Sequence, residues 1–314
     1  MSRFPTLIRL QYGLGSMGIG MALNLQNHLA ANALPPLRYS NRTISRGDAL
    51  KGAGGLPERD FETLLLKSSI SNDDVLEGLV SKAVDTWSAA LLEGKIWVDT
   101  STVHPETSAR CAERLAKVGA AFISSPVFGA SPVAAAGKLI FAMAGPAAAL
   151  RRVRPYVINV MAKSIIDMGE DVRKASLLKI SGNIFVIGFQ ELTAEAQVFA
   201  EKTGLGTQQM ERFIADMYGP VLESYSKRMT SGAYAPPPDT PPGFSVALAA
   251  KDAGHALKLA EESGTTLPVL ETALARMRAA RGFAGDALDS SAVYGAARLE
   301  AGLSFWNERS RQSK

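Results

Sequence analysis

Residues 13 to 18 read Gly-Leu-Gly-Ser-Met-Gly and stand between an apolar run, residues 7 to 12, and the start of a helical pattern. In a strand–turn–helix, Gly13 permits the tight turn, Gly15 lets the backbone approach a pyrophosphate, and Gly18 allows close packing of the helix. The helix start adds N–H groups and a positive dipole end. The residues predicted to contact a dinucleotide are Gly13, Leu14, Gly15, Ser16, Met17 and Gly18. The alternative is an ordinary glycine turn that leads into a helix.

The end of the second predicted strand should decide which nicotinamide cofactor is bound. It carries Asn41, Arg42 and Thr43, with no acidic residue to accept hydrogen bonds from a ribose 2′-OH. Arg42 can pair bidentately with a 2′-phosphate, and Asn41 and Thr43 add neutral donors. This segment predicts NADP(H), and the alternative is a solvated arginine that happens to follow a strand.

Hydroxyl groups follow the fourth predicted strand, in the segment Asp-Thr-Ser-Thr-Val-His-Pro at residues 99 to 105. Ligands bind at the carboxyl edge of a doubly wound sheet, so Ser101 and Thr102 could bond a nicotinamide ribose or a substrate. They could equally cap the helix that Pro105 begins. A further segment, Ser-Pro-Val-Phe-Gly-Ala at residues 125 to 130, indicates by itself only a loop between strands.

Lys179 and Asn183 are four residues apart in a helical pattern and therefore share one helix face. The apolar neighbours that predict a largely buried helix are Leu177, Leu178, Ile180, Ile184 and Phe185. A lysine on the buried side of a helix needs a partner or a function, and a desolvated lysine is suited to proton transfer. The alternative is a lysine side chain that extends along the helix to solvent.

The elements that position these residues change character near residue 169. Strand and helix patterns alternate before it, which predicts a mostly parallel sheet covered on both faces. The predicted strands are residues 7–12, 37–40, 63–70, 95–99, 121–125, 139–143 and 164–168. The predicted helices beyond it are residues 170–203, 208–217, 220–229, 246–263, 268–281 and 290–298. Five prolines between Ser231 and Gly243 predict an extended loop.

The predicted fold class is therefore α/β, with a Rossmann-type doubly wound domain of residues 1–168. An all-α domain of residues 169–314 follows, joined to the first by the long helix. A chain of 314 residues is long enough for two such cores. A hydrophobic content of 46% and a mean hydropathy of +0.05 are typical of globular proteins, and no apolar run approaches the ~18 residues of a membrane span. The first ten residues are interpreted as strand rather than as a signal peptide.

Charge and side-chain chemistry exclude several other classes. The net charge is +4, and the basic residues are scattered without interleaved aromatics, so nucleic acid is not an expected partner. Cys111 is the only cysteine, which precludes an internal disulfide and predicts a reducing, cytoplasmic location. His28, His104 and His255 lack metal-ligand spacing, so no metal site is predicted.

Five segments in chain order together resemble the β-hydroxyacid dehydrogenase family. They are the glycine turn, Asn-Arg-Thr from residue 41, the segment from residue 99, Ser-Pro-Val-Phe-Gly from residue 125 and Lys-Ile-Ser-Gly-Asn from residue 179. Lys251-Asp252 after Phe244 adds a sixth feature, and the resemblance extends from about Leu10 to Met277. The family contains 3-hydroxyisobutyrate, tartronate semialdehyde and glyoxylate/succinic semialdehyde enzymes. The resemblance implies hydride transfer between NADP(H) and a small aldehyde, keto acid or hydroxy acid, in homodimers packed through their helical domains.

The resemblance also implies roles for individual residues. Lys179 would donate a proton to the carbonyl oxygen, and Asn183 would orient the substrate. The implied substrate residues are Ser101, Phe128, Gly129 and Asp252. The implied cofactor residues outside the two segments above are Thr102, Phe244 and Lys251.

Two features bear on which member of this architecture the chain is. Phe128, Gly129 and Ala130 stand where the family usually has Ser-Gly-Gly, so a hydroxyl suited to a substrate carboxylate is missing. This predicts a preference for uncharged or bulkier carbonyl compounds, unless the ring turns away into the core. Imine reductases share the architecture but generally lack the lysine, so Lys179 favours carbonyl chemistry. A catalytically silent NADP-binding interaction protein is a further alternative, against which the Lys179–Asn183 pair speaks.

Overall fold

The computed structural model describes residues 10–41, 43–58, 73–87, 89–237 and 239–310. The chain divides into two compact units, Met1–Lys179 and Ile180–Lys314, and the division falls within one long helix. The predicted boundary between residues 168 and 169 lies just before that helix and stays a prediction.

The first unit alternates short strands and helices, as the sequence pattern predicts. Its strands are β1 (Leu10–Tyr12), β2 (Arg38–Ser40), β3 (Leu56–Pro57), β4 (Ile96–Asp99), β5 (Ala121–Ser124), β6 (Val127–Phe128), β7 (Leu139–Met143) and β8 (Ala162–Asp167). Its helices are α1 (Ser16–Ala31), α2 (Asp48–Gly52), α3 (Asp73–Thr86), α4 (Ala89–Leu92), α5 (Pro105–Ala116), α6 (Ser131–Ala135) and α7 (Ala147–Val153). Single 3₁₀ turns occupy Ile44–Gly47 and Arg154–Tyr156.

The strands form three hydrogen-bonded groups in the orders β1-β2-β3, β4-β5 and β6-β7-β8. All pairs are parallel except β6 with β7, where Phe128 lies opposite Ile140. The segment from residue 125, which by itself indicates a loop, therefore contains a strand that the sequence pattern missed. The strand predicted at residues 63–70 lies outside the described residues.

Helix α1 packs closely on the short helix α6. A Cβ built on Gly20 would lie 2.9 Å from the backbone nitrogen of Ala135, closer than real side chains approach. The Asn24 side chain donates to the Ala134 carbonyl at 2.8 Å in the same contact. Close packing of α1 on α6 therefore depends on Gly20. The sequence pattern assigns close packing of the helix to Gly18, which is also buried.

The second unit is helical within its described residues. The long helix α8 (Val172–Thr203) leads into it and ends before Gly204, whose φ of +75° favours glycine. The remaining helices are α9 (Thr207–Thr230), α10 (Val246–Glu262), α11 (Pro268–Ala284) and α12 (Val293–Glu300), with a 3₁₀ turn at Ser290–Ala292. Gly219, at a φ of +76° before Pro220, breaks α9 where the sequence predicts two separate helices.

Small residues let α10 and α11 approach each other in the core of the second unit. Ala249, Ala253, Ala273 and Ala280 are fully buried there. The proline-rich loop before α10 is anchored to this core by Tyr234, whose hydroxyl donates to the Phe305 carbonyl at 2.8 Å. Among the residues that the structure describes, no helix combines the length and apolar character needed to cross a membrane.

The prediction that α8 is largely buried is wrong for part of its surface. Ile180 is buried, but the side chain of Phe185 is 66% exposed. Leu192 and Phe199, at 60% and 64%, follow at seven-residue intervals and therefore lie on the same helix face as Phe185. We call Phe185, Leu192 and Phe199 the α8 apolar stripe.

Candidate active site

The predicted dinucleotide turn has the geometry that its glycines imply. Gly13 adopts a φ of +84°, which favours glycine, and its N–H donates to the Ser40 carbonyl at 3.3 Å. Gly15 is the N-cap of α1, and a Cβ on Gly13 or Gly15 would project into open space. The first turn of α1 carries no acidic residue. A phosphate-bearing cofactor fits this turn because the glycines leave room beside a positive helix end.

Asn41 links the glycine turn to the end of β2. Its buried side chain accepts a hydrogen bond from the Leu14 N–H at 2.9 Å and donates to the Thr43 carbonyl at 2.8 Å. The side chain thus links the glycine turn to the segment after β2, and its predicted role as a donor to the cofactor stays a prediction. Thr43 and Ser16 are exposed, Met17 is half-buried, and Arg42 lies outside the described residues.

The carboxylate of Asp99 orients the hydroxyl that follows β4. Ser101 donates to Asp99 Oδ1 through its Oγ at 2.7 Å and through its backbone N–H at 3.3 Å. Asp99 is buried at the carboxyl end of its strand, and the sequence reasoning assigned it no role. The N-cap of α5 is His104, so the alternative that Ser101 or Thr102 caps this helix is wrong. His104 takes the position because it directly precedes Pro105, the first helical residue.

The first unit brings Phe128 next to Lys179. The ammonium nitrogen of Lys179 lies 4.7 Å from the centroid of the Phe128 ring, within the range of a cation–π contact. The ring also packs against the cluster of Ala142, Ala144 and Ala175. The ring therefore contacts the core, as one alternative from the sequence expects. It also contacts the Lys179 side chain and so has not turned away from it.

Gly129 shapes the loop that follows Phe128. Its φ is +133°, and a Cβ there would lie 2.7 Å from Leu139 Cδ2 and 3.0 Å from Val133 Cγ1. A larger residue there would adopt a strained backbone conformation and would require the Leu139 and Val133 side chains to shift. This glycine serves the packing of the loop, and its predicted place beside the substrate stays a prediction.

The second unit assembles a polar group around Asp252 on α10. The Asn183 amide donates to Asp252 Oδ2 at 2.6 Å, and Lys251 Nζ lies 3.0 Å from Asp252 Oδ1. Asn183 and Asp252 are both buried. Three predicted site residues are thus bonded in one group, although Asn183 is far from Lys251 and Asp252 in the sequence.

Phe244 is held by a residue that sequence reasoning missed. Its N–H donates to Asp289 Oδ2 at 2.9 Å, and its carbonyl accepts from the Ser290 N–H at 2.7 Å. Asp289 is buried and lies 3.6 Å from Arg228. A buried aspartate followed by two serines, a turn-capping pattern, is the only local signal for this role in the sequence.

The single cysteine offers no reactive thiol in this environment. Burial, with a smaller contribution from the negative charge of Asp99, raises the pKa of the Cys111 thiol to about 12. The thiol therefore stays protonated at neutral pH, and Cys111 is a core residue.

Comparison with known proteins identifies both parts of the chain. A family model described as the NAD binding domain of 6-phosphogluconate dehydrogenase matches residues 11–169. A second, described as the NAD-binding domain of NADP-dependent 3-hydroxyisobutyrate dehydrogenase, matches residues 174–297. The two matches follow each other as the predicted α/β and all-α parts do.

Individual relatives extend over nearly the whole chain. An NADH-dependent oxidoreductase of Aspergillus ustus is 30% identical over 92% of this chain and 98% of its own length. The solved 3-hydroxyisobutyrate dehydrogenase of Mycobacterium tuberculosis, studied with L-serine, is 25% identical, covers 94% of this chain and all of its own, and superposes with a TM-score of 0.71. A Streptomyces aurantiacus imine reductase shares the fold at 19% identity and a TM-score of 0.56, over 94% and 99% of the two chains. The chain therefore belongs to the β-hydroxyacid dehydrogenase family and is an NAD(P)-dependent oxidoreductase.

Proposed function

We propose that this protein is an NADPH-dependent reductase of small carbonyl compounds in which Lys179 is the general acid. The observation that carries the proposal is the bonding around Asn183, one helical turn after Lys179. Its amide is held by the buried Asp252 at 2.6 Å. A buried carboxylate that orients an amide is typical of a built polar site, since burying both groups costs free energy without a partner.

Lys179 and Asn183 have different proposed roles in the reduction. A bound reduced nicotinamide supplies a hydride to the carbonyl carbon. Lys179 Nζ donates a proton to the carbonyl oxygen as negative charge develops on it, the product is the alcohol, and the neutral amine regains a proton from water. Asn183, with its amide orientation fixed by Asp252, orients the substrate.

The proposed cofactor contacts come from several segments of the chain. The glycine turn holds the pyrophosphate at the start of α1, and Arg42 with Thr43 receives the 2′-phosphate. Asn41 keeps these two segments in register through its bond to Leu14. Ser101, oriented by Asp99, and Thr102 are the proposed contacts of the nicotinamide ribose or substrate, and Lys251 and Phe244 are further proposed cofactor residues.

The substrate class follows from Phe128. Its ring provides an apolar surface next to Lys179 and no hydroxyl donor, and an unpaired carboxylate against such a ring costs several kcal/mol. We propose that uncharged aldehydes and ketones are reduced in preference to small keto acids or semialdehyde acids. Gly129 and Ala130 keep their backbone N–H groups, so acids are disfavoured rather than excluded.

NADPH oxidation measured against uncharged aldehydes, 2-keto acids, succinic semialdehyde and cyclic imines tests the reaction and the substrate class together. We expect a higher kcat/KM for an uncharged aldehyde than for glyoxylate. Phe128→Ser should raise kcat/KM for the acids about 10-fold or more, the usual effect of a hydrogen bond to a charged group. Phe128→Leu is the matched control, because it removes the ring and adds no donor. An advantage for the acids that Phe128→Ser leaves unaltered would contradict the proposed specificity.

The same panel distinguishes the alternatives. The shared fold of the imine reductase keeps imine reduction open, and faster turnover of cyclic imines than of every carbonyl compound would favour it. Tight NADPH binding without turnover of any compound would favour a silent interaction protein. Lys179 favours the carbonyl reaction, because its ammonium group can donate the proton that the carbonyl oxygen takes up during reduction.

We propose that the protein is a homodimer in which the α8 apolar stripe contacts a second copy of the chain. Three large apolar side chains at seven-residue spacing, each at least 60% exposed, lie along one face of α8, and such clustered exposed apolar side chains mark interaction surfaces. The helix α9 adds exposed Phe213 and Met217 to the apolar surface of the same unit.

Replacing Leu192 with glutamate should convert the dimer to a monomer, because it places a charge in the middle of the proposed apolar contact. Light scattering after size-exclusion chromatography measures the molar mass directly. Leu299→Glu, the same change at an exposed leucine of α12, should leave the mass at that of a dimer. A parent protein that is monomeric at micromolar concentration would rule out the interface.

A further inference from the structure

The contact between Phe128 and Lys179 joins two well-anchored elements of the first unit. Phe128 belongs to β6, which pairs with β7, and its ring rests on the alanine cluster described above. Ser176, one turn before Lys179 on α8, is buried, and its hydroxyl lies 2.9 Å from Ser108 Oγ and 3.3 Å from Ser124 Oγ. The turn that carries Lys179 is thus tied to α5 and β5. The ring and the helix turn that carries the lysine are therefore each anchored in the first unit.

We propose that Phe128 is a positioning residue of the reaction, which holds the Lys179 ammonium over its ring face and favours the protonated form. This inference rests on the proposed function of Lys179 as the general acid. The face of an aromatic ring attracts an ammonium ion electrostatically but gives a neutral amine no comparable interaction. The ring therefore keeps the proton on the acid and the acid in one place until a substrate oxygen accepts it.

The effect of the Phe128 ring on Lys179 can be tested by substitution without changing the nearby charges. Strands β5, β6 and β7 and helix α6 carry no ionisable side chain. On the neighbouring elements, Arg173 of α8 is bonded to Glu106 of α5 at 2.7 Å, and Asp167 of β8 to Arg154 at 3.2 Å. A substitution of Phe128 therefore changes the aromatic face beside Lys179 without removing a charge from this region.

The first test is the dependence of kcat/KM for carbonyl reduction on pH. Rate falls at alkaline pH when the general acid loses its proton, so Phe128→Leu should move this alkaline limb to lower pH by about 0.5–1 unit, the size of a cation–π contact. Phe128→Tyr, which keeps the ring, should retain the parent profile. Met168→Leu alters the same apolar cluster without touching an aromatic face and serves as the packing control.

The second test needs no turnover. In protein labelled with ¹³C at lysine Cε, the Lys179 signal, assigned by its loss in Lys179→Met, should show an upfield ring-current shift and a titration midpoint that falls in Phe128→Leu. Phe128→Met provides a second ring-free variant should leucine disturb folding. An unchanged midpoint and an unchanged alkaline limb in both ring-free variants would overturn the inference. A midpoint that moves in a protein that reduces no carbonyl compound would instead refute the proposed function alone.

Discussion

Replacing Lys179 with alanine is expected to lower kcat for carbonyl reduction by about 10²–10⁴-fold, the usual contribution of a positioned general acid. The substitution leaves the developing charge on the carbonyl oxygen without a proton donor. NADPH binding should persist, because the proposed phosphate contacts lie at the glycine turn and the end of β2 and do not include Lys179. Single-turnover rates and NADPH titration by fluorescence measure the two effects separately.

Two further variants decide what Lys179 contributes. Lys179→Arg keeps a positive charge but does not release a proton at neutral pH, so it should be nearly as slow as the alanine variant. Lys174→Ala removes an exposed lysine from the same helix and should retain parent activity. Near-parent turnover in Lys179→Ala would mean that the proton comes from another group or from water.

Replacing Arg42 with alanine is expected to weaken NADPH binding by about 1.5–3 kcal/mol, or 10- to 150-fold in Kd, with little change for NADH. The selectivity arises because a 2′-phosphate receives charge-assisted hydrogen bonds from a guanidinium, whereas a 2′-hydroxyl is best bound by an acidic acceptor, and residues 39 to 41 include no acidic residue. Calorimetric titration of both cofactors measures the difference directly.

Arg38→Ala is the matched control for this prediction. Arg38 is the first residue of β2, four positions before Arg42 in the sequence, and is paired with Glu58 on the protein surface, so its loss should affect both cofactors slightly and equally. The Aspergillus ustus relative is named for NADH dependence, which makes the parent measurement decisive. Equal affinities of the parent protein for NADPH and NADH would contradict the assignment of the 2′-phosphate to Arg42.

The two-part fold follows from signals that are local in the sequence. The alternation of strand and helix to residue 168, the long helix and its end at Gly204 match the structure because periodicity and glycine or proline conformations depend on neighbouring residues. The glycine turn is predictable for the same reason, since Gly13 needs its positive φ whatever else surrounds it. That Lys179 and Asn183 share one helix face also follows from spacing, whereas their role in catalysis is implied by the family resemblance and stays a proposal.

The tertiary structure alone decided what these residues contact. That Asn41 bonds Leu14, that Asp252 holds Asn183, and that Asp289 holds Phe244 depend on residues far apart in the chain. No periodicity encodes such pairs, because each arises where two separately folded elements meet.

Packing likewise overrode several local expectations. The sequence by itself determined the order of elements and the conformation of the glycine turn, because each of these is set by residues within a few positions of one another. Only the packed chain decided that Phe185 faces outward, that α6 approaches α1 closely at Gly20, and that the Phe128 ring lies against the Lys179 ammonium. Burial and close approach are properties of surfaces brought together, and the chain must fold before those surfaces exist.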